Sequence, residues 1–326
     1  MVIYMTDNQY IYAVARIRSK ELQLLNKNDI DQLLNLKSER ECLRYLADKG
    51  WGRSGDETAD ALVMAEREKT WEIINELVED MSIFNTFLYA NDFHNVKAAI
   101  KQVYTNLDLP GIYNQNGTIK PEVIYHAVKE QNFSELPEYM RSSAEEAFQV
   151  QLHTGDSQLC DIILDKAALE FIYKKSKESG NELLINYAEL KVASADINIA
   201  IRSIRTGKDQ VFMERALADC ASLNIRELIS ACLDGEEAAL NYLSTTVYAD
   251  AVPALKTSFS AFERWCDNLI VRLIRPQRYN PFTVSPIAAY ILARENEIKT
   301  VRILLSGKRN EISEEAIRER MREMYV

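Results

Sequence analysis

The sequence predicts an all-α protein, and three observations predict it. First, three segments repeat one pattern about a hundred residues apart: Tyr89 to Lys101 (YANDFHNVKAAIK), Ala193 to Lys208 (ASADINIAIRSIRTGK) and Leu292 to Lys308 (LARENEIKTVRILLSGK). Each opens on an acidic or amide cluster, continues with aliphatic residues at helical spacing and closes on basic residues. That is the signature of one helical unit used three times, although the middle copy aligns only after sliding by a residue. Second, Gly and Pro number only 10 and 7 in 326 residues, too few for a turn-rich β architecture. Third, no segment alternates apolar and polar residues over the length of a strand. Length alone favours two or three domains, and the repeat divides the chain at 1–112, 113–221 and 222–326, three similar helical bundles.

Taken in order, Asn8 to Leu25 reads as a helix with Ile11, Val14, Ile17, Leu22 and Leu25 at helical spacing. Asp29 to Leu36 is a short helix with Ile30, Leu33 and Leu34 inward. Glu39 to Asp48 is another and stops at Gly50, a residue that tolerates the positive φ of a helix C-cap. Asp56 to Asp80 is long and amphipathic, and Ser82 to Leu107 carries the first repeat copy. The turn-rich stretches Leu109-Pro110-Gly111 and Asn114-Gln115-Asn116-Gly117 mark the first break.

Pro121 to Lys129 and Ser142 to Leu152 are short helices, and Ser157 to Ser176 is longer. Glu182 to Arg205 holds the second copy. Lys208 to Ala221, Asn224 to Leu233 and Glu236 to Tyr248 follow, then a strong helix from Pro253 with Phe259, Phe262, Trp265, Leu269 and Leu273. Pro276 to Pro286 is a loop with three of the seven prolines, and Ile287 to Ser306 is the third copy. Ser313 before Glu314 and Glu315 caps a last helix, for which Ala316, Ile317, Met321 and Met324 supply the apolar face.

Composition excludes several functions. A net charge of −10, with no basic run, argues against broad nucleic-acid binding, which needs a positive field. Five cysteines without a C-x-x-C pair read as reduced thiols. No stretch approaches the roughly 18 apolar residues of a membrane span, and Met1 to Met5 is too short for a signal-peptide core. The sequence therefore predicts a soluble chain, with docking on a membrane protein left open.

Candidate chemistry is sparse. Gly50-Trp51-Gly52-Arg53-Ser54-Gly55 matches G-x-G-x-x-G, but the dinucleotide fingerprint needs a strand before it, and a helix precedes it here. A helix cap is the better reading. Gly307-Lys308 lacks the upstream glycine of a phosphate loop. His94, His126 and His153 lack metal-ligand spacing. Asp161 and Asp165, at i and i+4, share one helix face, an arrangement open to acid–base work but more usual as a solvated face beside cations. The sequence thus predicts no cofactor, no metal and no catalytic residue. Ile298, Val301, Leu304 and Leu305 form a core stripe. Arg202 and Arg302 lie beside their stripes, where they either cover apolar surface with their stems or contribute to a ring of charges, one per domain, that grips a central partner.

At these residues the chain resembles the C subunit of V/A-type rotary ATPases, the counterpart of the vacuolar-ATPase d subunit. Pro286 to Arg302, Gly307-Lys308 and the ending Ile317 to Val326 carry the clearest likeness. Tyr12 to Arg18 and Asn91 to Lys97 agree in the expected order, and Asp196 to Ile199 departs most. The resemblance implies a pseudo-threefold, all-helical funnel without chemistry of its own. One end would receive the central rotor shaft, and the other would sit on the membrane proteolipid ring, on the cytoplasmic face and without a span. Arg16, Arg18, Asp92, Asn95, Lys97, Arg202 and Arg302 are the candidate interface residues. A generic helical-repeat scaffold explains the triplication equally well, and an enzyme hidden between helices would show converging acids in a polar pocket.

Overall fold

The computed structural model describes residues 10–55, 58–107 and 111–326. The expected helix start at Asn8, the run Met1 to Met5, the start of the fourth helix at Asp56 and the Leu109-Pro110 part of the first break lie outside the described residues. Within them every regular element is a helix and no strand occurs. The fold is all-α.

In chain order the helices are α1 (Ile11–Glu21), α2 (Lys27–Asn35), α3 (Glu39–Asp48), α4 (Ala59–Leu77), α5 (Tyr89–Thr105), α6 (Pro121–Lys129), α7 (Glu138–Thr154) and α8 (Ser157–Glu178). They continue with α9 (Glu182–Arg205), α10 (Gln210–Ala216), α11 (Ile225–Leu233), α12 (Glu236–Ser244), α13 (Val252–Thr257), α14 (Phe259–Ile274), α15 (Ser285–Arg309) and α16 (Glu314–Arg318). Contacts divide the chain into two units, Met1–Met81 with Pro253–Val326, and Ser82–Val252.

In the first unit α15 is the central helix, packed by α1, α3, α4 and α14. From Ser285 to Ala293 it is buried on every side, and the predicted stripe Ile298, Val301, Leu304 and Leu305 joins Leu33, Leu34, Cys42, Leu46, Leu62 and Ile317 in one core. Each such side chain contributes roughly 1.5–3 kcal/mol by leaving water. Local chemistry sets the helix ends. Asn26 and Asp29 form a reciprocal capping box that starts α2. At the end of α3, Gly50 has φ +87°, its N–H donates to Ala47 O (2.9 Å), and Trp51 N–H donates to Leu46 O (2.9 Å). That is a Schellman closure, which needs a residue able to hold positive φ.

In the second unit α5, α6, α7 and α8 bury Phe93, Val96, Ile100, Ile124, Leu136, Met140, Phe148 and Leu164 together, and α8 packs on α9 through Ile172, Tyr173, Ala188 and Val192. Tyr139 stacks on Phe171 with ring centroids 3.9 Å apart.

Several boundaries differ from expectation, among them the expected loop Pro276 to Pro286, which opens on a 3-10 turn, Arg275–Tyr279, and ends inside α15. The predicted helix from Ser82 begins as a tighter 3-10 turn, Met81–Phe87, before α5. The helix expected over Lys208 to Ala221 ends at Ala216, because carboxylates on α9 hold the next residues out of helical geometry. The helix expected from Pro253 breaks at Ser258, whose extended backbone lets its hydroxyl cap α14 by accepting from Ala261 N–H (3.0 Å). Ser313 caps the last helix as predicted, but α16 ends at Arg318, so Met321 and Met324 reach the core from an irregular tail.

Candidate functional site

The three repeat copies lie in long helices, α5, α9 (as far as Arg205) and α15, and their acidic or amide clusters share one task. Each holds a chain segment that follows its helix. On α5, Asp92 accepts from Thr118 N–H (2.8 Å), Thr118 Oγ1 (2.6 Å) and Ile119 N–H (3.1 Å), while Asn95 both accepts from Asn114 N–H (2.8 Å) and donates to Asn114 O (2.9 Å). Burial raises the Asp92 carboxyl, and these donors pull it back only in part. On α9, Asp196 accepts from Ala218 N–H (3.0 Å), and Glu189 from Ala221 N–H (3.2 Å) and Ser222 N–H (2.8 Å). On α15, Asn296 donates to Glu323 O (2.9 Å). These bonds satisfy backbone groups that would otherwise be stranded in loops.

Asp196 is fully buried, and its Oδ2 has no partner among the described residues. Burial pushes its carboxyl up to about 8, so it is mainly protonated at neutral pH.

The third copy adds a buried ion network. Arg294 on α15 pairs with Glu297 on its own helix and Glu66 on α4, and stacks over Trp51 at 5.0 Å. Glu297 also accepts from Leu25 N–H, and burial raises its carboxyl to about 7. Lys69 joins through Glu66 (2.7 Å). With both carboxylates ionised the cluster balances, two charges of each sign. Sequence reasoning missed it. The available signal was Arg294-Glu295-Asn296-Glu297 following a stretch of α15 that is apolar all round, where charge has no solvent face to occupy.

The same network explains the G-x-G-x-x-G stretch. Gly52 N–H donates to Glu66 (2.8 Å), and Lys69 Nζ donates to Gly50 O (3.0 Å) and Gly52 O (2.5 Å). The loop spends these groups on the protein's own side chains. Asp161 and Asp165 form a ladder of cross-helix pairs with Lys101 (2.9 Å) and Lys97 (2.7 Å) on α5. His94 bonds Ile112 O, His126 meets Glu135 and His153 meets Gln149. Among the described residues no group of three or more His, Cys, Asp or Glu is arranged to hold a metal. All five cysteines are thiols, with Cys42, Cys160 and Cys232 buried, and burial pushes the Cys42 thiol up to about 11.

The seven candidate interface residues fall into two groups. Arg18, Asp92, Asn95 and Lys97 are committed to contacts within the chain, Arg18 by gripping Glu21 (2.7 Å) and the carbonyls of Gln277 (2.5 Å) and Asn280 (2.9 Å). Arg16, Arg202 and Arg302 are exposed, and Arg302 borders a groove of about 250 Å³ above Gly307 and Ile317.

The fold and these clusters define a helical scaffold whose polar side chains fasten one segment to another. Residues 13–320 match the family model described as ATP synthase (C/AC39) subunit. The C subunit of the V-type sodium ATPase of Enterococcus hirae is 25% identical over 318 residues, covering 95% of this chain and 97% of that protein. The C subunit of the A-type ATP synthase of Methanocaldococcus jannaschii is 24% identical over 95% of this chain and 85% of its own length. That of Thermococcus kodakarensis is 20% identical over 95% and 89%. The chain belongs to the ATP synthase (C/AC39) subunit family, a non-catalytic subunit of a rotary ATPase complex.

Proposed function

We propose that this chain is the central-stalk adaptor of a V/A-type ATPase, connecting the rotor shaft to the membrane rotor ring and transmitting torque for ion transport. The observation that carries the reading is the family match across 13–320 together with relatives aligned over nearly their whole length. In this reading the three bundles, 1–112, 113–221 and 222–326, stand about a pseudo-threefold axis as a funnel, one repeat helix in each. The complex holds the chain peripherally on the cytoplasmic side of the membrane.

A torque adaptor must be stiff. The support for stiffness is that each repeat helix fastens the segment following it through side chains buried in the fold. Arg16, Arg202 and Arg302 are the candidate cations for gripping a partner, because all three are exposed. The test is co-purification. A tagged chain from its native source should bring down shaft and membrane-ring subunits together. Recovery of the tagged chain with neither would contradict the proposal.

A further inference from the structure

Independently of the adaptor reading, we infer that a groove between α2, α14 and the C-terminal tail binds one phosphate monoester on an aliphatic chain, taken singly from solution. All three elements belong to the first unit. Beyond α16 the tail leaves helical geometry. Side chains hold it instead: Asn296 donates to Glu323 O (2.9 Å), and Asn268 Oδ1 accepts from Glu323 N–H (2.8 Å). Between the tail and the two helices lies a cavity of about 530 Å³, within the size range of small-molecule sites.

Part of its wall is aliphatic. Ile30 and Leu34 of α2 lie one helical turn apart, and Met321 and Met324 of the tail line the same cavity. Ile30, Leu34 and Met324 are buried in the core of the unit, so this wall is fixed before a ligand arrives, and the two thioether side chains can follow the shape of an alkyl chain. No aromatic side chain lines the cavity among the described residues. It therefore offers a nucleobase no ring to stack on and suits a saturated chain.

Charge selects the head group. Lys27, Arg264, Arg275, Arg318 and Arg322 line the groove, against Asp31, Glu323 and the main-chain carboxylate of Val326. Arg275 shares Glu323 (2.9 Å) with Arg272 (2.5 Å), and Arg322 shares Asp267 (2.9 Å) with Lys299 (2.6 Å). Arg318 takes Asp31 (2.5 Å) and Glu314 (2.9 Å). Across the groove and these ion-pair partners seven cations meet five anions, in a chain of net charge −10. Lys27 and Arg264 are the two without a carboxylate partner among the described residues, and Arg264 donates only to the Glu319 carbonyl. Two positive charges balance a phosphate monoester, which carries about −1.5 to −2 at pH 7, and a guanidinium fork beside an ammonium suits its oxygens. A bilayer fits less well, because an anionic-lipid patch uses roughly four to eight cations.

Calorimetric titration of the full chain tests the site, with octyl phosphate held below its micellar concentration. One equivalent should bind, and hexyl phosphate should bind about tenfold more weakly because two methylenes fewer are buried. Lys27→Gln and Arg264→Gln should each weaken octyl phosphate by about tenfold, with urea midpoints read alongside to show that both variants fold. Should Arg264→Gln unfold, Lys27→Gln decides alone, since that side chain is exposed. No binding of octyl phosphate at about 1 mM, or equal binding by wild type and a folded variant, overturns the inference. Inorganic phosphate or octanol binding as tightly as octyl phosphate overturns it by showing that chain or head group is not read. Tighter binding of ATP overturns it in favour of a nucleotide. Vesicles of equal parts phosphatidylcholine and phosphatidic acid supply the same head group in a bilayer, and capture by them without binding of free octyl phosphate overturns it in favour of a membrane surface.

Discussion

Arg294 joins α4 and α15 inside the core of the first unit. Its guanidinium bridges two buried carboxylates on two helices, and removing it leaves Glu297 without a cation and Glu66 with Lys69 alone. Arg294→Met should cost about 3–5 kcal/mol, and Arg294→Lys should not restore the loss, because an ammonium cannot fork to Glu66 and Glu297 together. Urea unfolding followed by tryptophan fluorescence isolates the effect, since Trp51, Trp71 and Trp265 all belong to this unit. An unchanged midpoint would mean the network is not structural. In the other unit, Asp196 makes stability depend on pH. Its folded-state value near 8 lies above the ordinary 3.8, so the native state holds the extra proton between those limits and stability falls as pH rises through that window. Asp196→Asn should flatten this slope and stabilise the chain by roughly 1–3 kcal/mol at pH 8. Thermal melts by circular dichroism at pH 5 and pH 8 decide it, and parallel slopes in the two proteins would refute the assignment.

At the scale of the element, the sequence was legible where local pattern rules. The helices over Glu39–Asp48 and Glu182–Arg205 have the bounds their periodicity predicts, and the repeat copies fall in helices, the middle one as far as Arg205. It was opaque where distant side chains set the boundary. The end of α10 depends on Asp196 and Glu189 taking backbone donors from Ala218, Ala221 and Ser222, and nothing local to residues 208–221 announces that. Met321 and Met324 sit at helical spacing, yet the tail is drawn off by Asn296 on Glu323 O and by Arg322 on Asp267 (2.9 Å). The site was legible only in part, since the repeat pattern flagged Asp92 and Asn95 but not what they hold. Gly207 and Gly307, matched in sequence, also differ: Gly207 follows the end of α9 at φ +64°, whereas Gly307 lies inside α15. A Cβ at Gly307 would come within 2.6 Å of Ile317, so Gly307→Val should push α16 away and cost about 1–3 kcal/mol. A urea midpoint equal to wild type would show that α16 yields freely. At the other anchor, Asp92→Ala leaves two backbone donors without an acceptor, a loss of about 1–3 kcal/mol. Hydrogen exchange at Thr118 and Ile119 should quicken, and unchanged protection there would sink the anchor assignment.

At the scale of the whole molecule, the proposed adaptor is a stiff acidic scaffold that carries force and leaves chemistry to its partners. Its grip should be partly electrostatic, so affinity for at least one partner should weaken as ionic strength rises, because exposed pairs are screened within about 8–10 Å in physiological salt. The central claim is coupling, and reconstitution tests it most directly. Catalytic head and shaft, mixed with the membrane sector but without this chain, should hydrolyse ATP and move no ions. Adding the chain should restore transport, along with sensitivity of hydrolysis to an inhibitor of the ring. Full ATP-driven transport in its absence would contradict the account.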